Sequence, residues 1–522
     1  MAAFHWLVEV DIHDGAPIRL AHVDLEVTTA GGDSLVFAEG VLSELDGTAP
    51  GDENVSLQLL LPAGTDLLEL EHSPVRVYLW AEGDTWEEAV LYVEGLVSGL
   101  EYAAPTDPVE LSVSRREDDL PPMPDSQAAI TDGETWPVTG GFEVRPDSNG
   151  LFYPVIYGFP GGQRNSTSTA TLAVVPVGLA QWSTGLVGLT YLAIADQPLV
   201  AGTSTSEVAV ANYGPSPYVF TDLTWKVVTD LLGRSITVAD FSADSSARPG
   251  NKEEAAEFYV GFSPAGGGGR ARDAYAVILD VLRRWGGSRR VDYGAMAGVE
   301  ELLSRYAVDT WVNGSTNAWA WLDDTLLEQL PVQWVQGRHG LYLAPDRYFA
   351  TREDVRQDVD VDAGDAERRS PVRVDGSRLE NEVVCHFWRN REDQWWGRRI
   401  LTAQDRNLSS PWWFSGADER IVGHPLAAES QSRYGLHRGP PHEIDWTWDA
   451  LTVGLVGQDY LERRAFPTET VTYWFADEVH VGDVLTLTDS ELEWSARLVI
   501  VARPPVRVAD GWVAQLRVVP RT

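Results

Sequence analysis

The run Val75-Arg76-Val77-Tyr78-Leu79-Trp80 alternates too strictly to be read as a helix. Side chains of an extended strand point to opposite faces in turn, so Val75, Val77 and Leu79 share one face and Arg76, Tyr78 and Trp80 the other. The same period-two texture, or short β-branched runs, recurs at residues 4–12, 18–29, 34–45, 55–62, 89–102 and 109–115, with Gly, Pro, Asp or Asn clusters between. These segments predict a compact all-β domain over residues 1–120, barrel- or sandwich-like, with one dry side and one contact side. It ends near the linker Asp118-Asp119-Leu120-Pro121-Pro122.

Beyond the linker the pattern is less regular. Residues 121–264 read as a second β-rich domain, with an apolar strand from Leu151 closed by Gly158 and Pro160 and β-like runs at 169–177, 189–194 and 207–211. After the run Gly266-Gly267-Gly268-Gly269 the period changes to 3.6. Asp273 is placed to cap a helix bearing Tyr275, Ile278, Leu279 and Leu282, stopped by Gly286-Gly287. Val299, Leu302, Leu303 and Tyr306 mark a second helix, and Trp319, Leu322, Leu326 and Leu330 a third that Pro331 stops. Residues 265–350 are therefore a small helical insert. Residues 351–522 return to β structure, with a strand at 380–389 and closing strands at 479–488, 496–502 and 512–519. A single helix within 446–464 carries Val453, Val456 and Tyr460 on one face. The expected fold is multidomain and mainly β, α+β overall because of these helices.

The totals agree. At roughly 150 residues per domain, 522 residues imply three or four domains, and 44% hydrophobic residues can bury real cores. The 21 Trp suit cores and subunit contacts alike. Asp and Glu number 78 against 40 Lys and Arg, a formal net charge of -38, and Lys226 and Lys252 are the two lysines among those 40. So acidic a chain repels phosphate backbones, which argues against a reader of nucleic acid. Cys385 is the one cysteine, so neither an intramolecular disulfide nor a thiolate zinc cluster can form. Its neighbours Val383, Val384 and Phe387 predict a buried thiol on a strand. The N-terminal residues lack the basic region of a signal peptide. No run of about 18 apolar residues suggests a membrane span, so no membrane insertion is expected.

Chemistry-bearing motifs are sparse. There is no Gly-x-Ser-x-Gly, no His-Glu-x-x-His and no Gly-x-x-x-x-Gly-Lys-Ser/Thr. The Gly266–Gly269 run lacks the Lys-Ser/Thr of a phosphate cradle and reads as a connector. Asp358, Asp360 and Asp362 alternate as calcium-loop ligands do, but Ala363 and Arg369 stand where that loop needs its glycine and its bidentate acid. A solvated acidic strand is the simpler reading, with weak calcium binding left open. Glu300/Glu301 and Asp323/Asp324 are carboxylate pairs, yet sequence neighbours on a helix diverge. His5, His13 and His22 read as strand-face residues. Arg283, Arg284, Arg289 and Arg290 form the one concentrated basic patch and suit either a helix C-terminus or an acidic neighbouring subunit. No catalytic, cofactor or metal residue is assigned, and no enzyme is expected.

Three segments carry a family resemblance. The first runs through Leu59-Leu60-Leu61-Pro62 and Val75–Trp80 to Leu91-Tyr92-Val93-Glu94-Gly95-Leu96-Val97. The second spans Ala276–Gly287, Tyr306, Trp319-Ala320-Trp321-Leu322 and Leu330-Pro331-Val332. The third is Glu380-Asn381-Glu382-Val383-Val384, then Tyr460-Leu461-Glu462-Arg463-Arg464, then Val481-Gly482-Asp483-Val484. In order and texture the chain resembles the baseplate or tail-tip hub proteins of long-tailed bacteriophages and gene transfer agents. The resemblance implies a homotrimer whose barrel-like domains form a ring closing the tail tube. Its partners would be distal tail and tube proteins, the tape measure protein and tail-tip or fibre proteins. DNA would pass only as transiting cargo, through a lumen that acidity keeps from sticking. Such a protein is assembled in the host cytoplasm and resides in the virion. Two other readings compete. One is a tail-tip glycan hydrolase; the other is an adhesin stacking sugars on Trp395-Trp396-Gly397 or Pro411-Trp412-Trp413-Phe414.

Overall fold

A computed structural model describes residues 4–12, 16–43, 54–62, 65–71, 73–102, 107–114, 122–123, 135–136, 142–144, 152–161, 175–176, 179–183, 189–198, 208–211, 218–220, 224–229, 235–240, 258–261, 271–287, 289–312, 314, 316–337, 339–389, 395–404, 419–508 and 511–520. The fold is mainly β, with several sheets and few helices. The linker at 118–121, the Gly266–Gly269 run, His13 and the cluster Pro411–Phe414 lie outside the described residues.

The N-terminal sheet is built from β1 (Phe4–Val10), β2 (Ile18–Ala21), β3 (Leu25–Thr28), β4 (Ser34–Glu39), β5 (Asn54–Leu59), β6 (Pro74–Ala81), β7 (Val90–Glu101) and β8 (Val109–Ser114). Its order is β3-β4-β2-β1-β6-β7-β8-β5. The single strand expected at 18–29 is two, because the chain turns at residues 22–24, where the Asp24 carboxylate accepts the Glu39 N–H at 2.7 Å. Val75, Val77 and Leu79 enter one core with Val8, Val10 and Leu20, as their alternation requires. The opposite face does not remain a contact side. Tyr78 and Trp80 are buried beside Val27, Phe37 and Leu91, and Trp86 packs 4.7 Å from the Tyr78 ring. Nor is the barrel closed: β5 meets residues 40–43, which follow β4, through the Val41–Leu59 bridge and the hydrogen bonds Leu42 N–H to Gln58 O, Leu60 N–H to Gly40 O and Gln58 N–H to Ser43 Oγ.

The expected helices form, with altered phase and length. Asp273 caps Ala274–Trp285 by accepting the Ala276 N–H at 2.8 Å, and Gly286 closes it. Its buried stripe is Ala274, Val277, Ile278, Val281, Leu282 and Trp285, leaving Tyr275 and Leu279 half-buried. The second helix is broken into Tyr293–Met296 and Glu300–Leu303, joined by a 3-10 turn. Asn317 caps Ala318–Trp321, which widens into a π-helical turn at Leu322–Leu327. These helices share one core with the strand Val383–Arg389 and the helix Ala450–Arg464, where Ile278, Leu303, Leu326, Phe387, Val453 and Val456 all take part.

The C-terminal strands build a second eight-stranded sheet. Along its main path lie Val355–Asp360, Val484–Asp489, Trp494–Val501, Gly511–Val518, Thr468–Phe475 and Ala366–Arg368. Val471, Tyr473, Leu485, Leu487, Val499 and Leu516 form its core. Of the strands expected in residues 121–264, Leu189–Ala195 and Val208–Ala211 are present, and only residues 175–176 of the run 169–177 are described. No helix among the described residues is long and apolar enough to cross a membrane.

Trp512 joins the two ends of the chain: its strand belongs to the C-terminal sheet, while its indole packs in the N-terminal core. Trp512→Ala should cost about 3–5 kcal/mol, as buried aromatic deletions do. It should also split chemical unfolding into two transitions; an unchanged single transition would refute this role.

Candidate functional site

Five carboxylates are buried among the described residues: Glu9, Asp309, Glu380, Glu382 and Asp489. Each is tied to arginine and to groups from distant segments. Glu9 meets Arg19 at 2.7 Å and Arg76 at 3.4 Å, and Arg76 in turn reaches Asp11 and Glu94. Asp489 accepts from Tyr473 at 2.5 Å and lies 3.5 Å from Arg368.

Asp309 is the most committed of them. Its Oδ1 accepts the Phe159 N–H at 2.8 Å and the Arg272 Nε–H at 3.0 Å, and its Oδ2 accepts the Trp448 N–H at 3.2 Å. Gly158, at φ +61°, lies so close to Val308 O and the Asp309 carboxylate that a Cβ there would strike both. Trp388 completes this junction. It is held at φ 61°, a strained conformation for an aromatic residue, while its Nε1–H donates to Trp448 O at 2.6 Å.

The Glu380-Asn381-Glu382 segment enters a second buried network. Glu380 contacts His442 at 3.1 Å and Arg464 at 3.2 Å, and the His442 ring stacks on Tyr460 at 3.8 Å. Burial pushes the Glu380 carboxyl up, but the His442 and Arg464 hydrogen bonds and charges outweigh it and hold the group below its ordinary range. Asn381 donates to Ser430 Oγ at 3.0 Å and Gly435 O at 2.8 Å and accepts the His437 N–H at 2.8 Å. Glu382 accepts from Thr402 Oγ1 at 2.9 Å and pairs with Arg438. Each group in this network serves to fix a loop or helix end.

One carboxylate departs from this pattern. A cleft of about 400 Å3 opens between the 298–306 segment, residues 345–349 and the helix Ala450–Arg464. In it Asp459 accepts a hydrogen bond from the Tyr306 hydroxyl at 2.6 Å, with no arginine or lysine at salt-bridge distance among the described residues. Burial pushes the Asp459 carboxyl up to about 7, against the opposing Tyr306 hydrogen bond and the more distant Arg463 and Arg305. Burial beside this acid also raises Tyr306. Such a carboxyl can hold or give up a proton near neutrality. The cleft lining contains no His, Cys, Ser, Thr or Lys among the described residues; its titratable groups are carboxylates, arginines and tyrosines.

The sequence candidates fall elsewhere. Asp358, Asp360 and Asp362 do not converge: Asp358 accepts from Thr486, Asp360 caps its own turn at the Asp362 N–H, and Asp362 accepts from Ser490. Among the described residues no group of three His, Cys, Asp or Glu is placed to hold a metal. The basic patch is used within the chain. Arg283 and Arg289 lie over the Tyr293 and Trp319 rings, Arg284 pairs with Asp280 at 2.8 Å, and Arg290 reaches Glu94 at 3.9 Å. His22 contacts Ser43 O and His5 packs near Trp80. Glu300 and Glu301 sit in one exposed helical turn, Glu301 facing the cleft, and Asp323 accepts the Trp334 Nε1–H at 2.7 Å. Trp395 opens the strand Trp395–Thr402 with Arg389 over its ring. Asp459 was missed because nothing in its local sequence distinguishes it. Its i, i+4 spacing from Leu455 on the helix was the one available hint that it borders a packed face.

No family model matches the chain, nor does any curated protein sequence. Among solved structures it is similar to the tail protein from Neisseria meningitidis MC58, at 10% identity and TM-score 0.35, covering 98% of this chain and 96% of that one. A chain from the virion of a native gene transfer agent particle is similar at 13% identity and TM-score 0.17, over 50% of this chain and 81% of that one. With TM-scores below 0.5 and identities this low, neither likeness establishes a shared fold or role.

Two outcomes follow from the titrations. Asp459 has its proton affinity raised by folding, so its stabilising contribution is full at low pH and is lost as pH rises from about 4 through 7. Asp459→Asn should therefore gain stability relative to the parent between pH 5 and pH 8 in urea titrations; a constant difference would rule this out. Cys385 is fully buried and pushed up to about 12 by desolvation, so it should react with a thiol reagent only after unfolding.

Proposed function

We propose that this chain is a non-enzymatic structural component of a phage-type tail tip, a hub in which three copies form the ring that closes the tail tube. The observation that carries this reading is the use of buried charge. All five buried carboxylates among the described residues are spent on joining distant segments. Catalytic sites leave a titratable group facing substrate, backed by a partner, and the half-buried Asp459 in its cleft is the carboxylate that departs from the structural pattern. A rigid multi-sheet body rivetted in this way suits a part that must bear load in an assembly. The net charge of -38 suits a channel wall past which DNA slides without adhering. The sequence order described above supplies the specific hub assignment, with tube, tape measure and fibre proteins as neighbours and the virion as its destination.

The test is the mass of the purified chain by light scattering, over a range of concentrations and salt. A trimer, alone or on adding tail-tube protein, is expected. A chain that stays monomeric under both conditions contradicts the ring. The competing hydrolase would place its acid at Asp459; peptidoglycan turnover lost in Asp459→Asn would replace the structural reading with that one.

A further inference from the structure

The cleft beside Tyr306 has a composition that the hub reading does not require. Its acidic groups are Asp459, Glu301, Glu462 and Asp346, and its basic groups are Arg305 and Arg347. Several of these are already engaged. Asp346 pairs with Arg517 at 3.0 Å, Arg347 lies 3.6 Å from Asp354, and Glu462 accepts from Gln458 at 3.0 Å. Counting every charged group in the lining and these two outside partners, the cleft keeps a net negative formal charge when its acids are ionised. Leu302, Leu455, Phe349 and Tyr348 supply apolar and aromatic wall beside the carboxylates, one face of the Tyr348 ring being covered already by Arg517 at 3.5 Å.

A half-buried carboxylate whose only hydrogen-bond donor among the described residues is a neutral hydroxyl lacks the counter-charge that the five buried carboxylates have. Aromatic faces next to carboxylates select a cation carried on an apolar stem: the carboxylate pairs with the charged head, and the rings cover the stem and face the cation. The volume of about 400 Å3 lies near the lower end of the roughly 300–1,000 Å3 typical of small-ligand sites. Lined by two leucines and the three aromatic rings of Tyr306, Tyr348 and Phe349, it has room for one side-chain-sized group.

We propose that the Tyr306–Asp459 cleft binds a guanidinium or ammonium group on an apolar stem, with Asp459 as its anionic partner. The group belongs chemically either to an arginine-type side chain of another polypeptide or to a free aliphatic amine. This inference stands apart from the hub assignment, since it rests only on the cleft. Binding ionises Asp459 and releases its proton, so affinity should fall about tenfold per pH unit below neutrality and level off above it. Tyr306 stays protonated throughout and remains the hydrogen-bond donor. Glu301 and Glu462 add attraction, whereas Arg463, Arg305 and Arg347 oppose entry.

The full-length chain is titrated by calorimetry at pH 6 and pH 8 with two probes, agmatine and Nα-acetylarginine methylamide. Each titration is run in buffers of different ionisation enthalpy so that proton release is counted. The expected result is saturable binding at pH 8 and about tenfold weaker binding at pH 6, with proton release at the lower pH. Asp459→Asn should weaken binding at pH 8 by at least about tenfold. The rim variant Glu301→Gln, at an exposed position, should weaken it by a smaller factor. Binding of both probes identifies an arginine-type side chain as a sufficient ligand, and binding of agmatine alone identifies a free amine. Absence of binding of both probes at millimolar concentration overturns the proposal. So does affinity indifferent both to pH and to Glu301→Gln, a criterion that holds even if Asp459→Asn fails to fold.

Discussion

An ionised carboxylate cannot be left bare inside a protein, and Asp309 shows how much structure that rule can organise. Its oxygens are reached from three directions: a strand end at Phe159, the residue before a helix cap at Arg272, and the approach to a second helix at Trp448. These groups lie far apart in sequence, so the chain must bring all three segments to one point or leave a buried charge unpaired. Gly158 is there because no side chain fits beside that carboxylate, and the strained Trp388 is tolerated because Trp448 is already anchored. The central core closes around this point.

The same logic explains why the positive charge is nearly all arginine. A guanidinium offers several donors in a fixed plane and can satisfy more than one acceptor, which an ammonium does less specifically. Arg76 serves Glu9, Asp11 and Glu94 at once, and Arg517 serves Asp346 and the Arg347 carbonyl while lying 3.5 Å over Tyr348. Acid in excess of this demand accumulates outside. On the edge strand Val355–Asp360, Val359 points into the core while Asp358 and Asp360 are exposed. Charged edges discourage pairing with a stray strand, so the alternation that suggested a metal loop is accounted for by edge protection.

Local pattern made much of the architecture readable. The alternation in 75–80 placed β6 and its neighbours because strand faces follow directly from residue order. Asp273 and Gly286 bounded a helix because capping is a short-range hydrogen bond. Failures came where the answer depended on remote partners. The split at residues 22–24 depends on Asp24 reaching Glu39, and Trp80 is covered by strands that alternation could not position. The helical stripe shifted because Val277 and Val281 face the core that strand 383–389 shares, and no local signal specifies which neighbour a helix will meet. Cys385 was legible as a core thiol, since its flanking residues already described a buried strand. The Tyr306–Asp459 pair joins residues 153 positions apart, and no local signal links the two.

The C-terminal sheet takes its strands from two stretches of chain, 355–375 and 468–518, separated by the strands and helices of 383–464. Parallel pairing of Val355–Asp360 with Val484–Asp489 therefore waits for more than a hundred residues to be made after its first strand. At typical elongation rates of about 5–20 residues per second, that strand is exposed on the ribosome for on the order of ten seconds, and the N-terminal core waits longer still for Trp512. Folding of this chain is thus tied to the synthesis of residues 484–518. A transcript truncated before codon 512 would yield a product with an unpaired edge and an unfilled core, a natural substrate for chaperones and proteases.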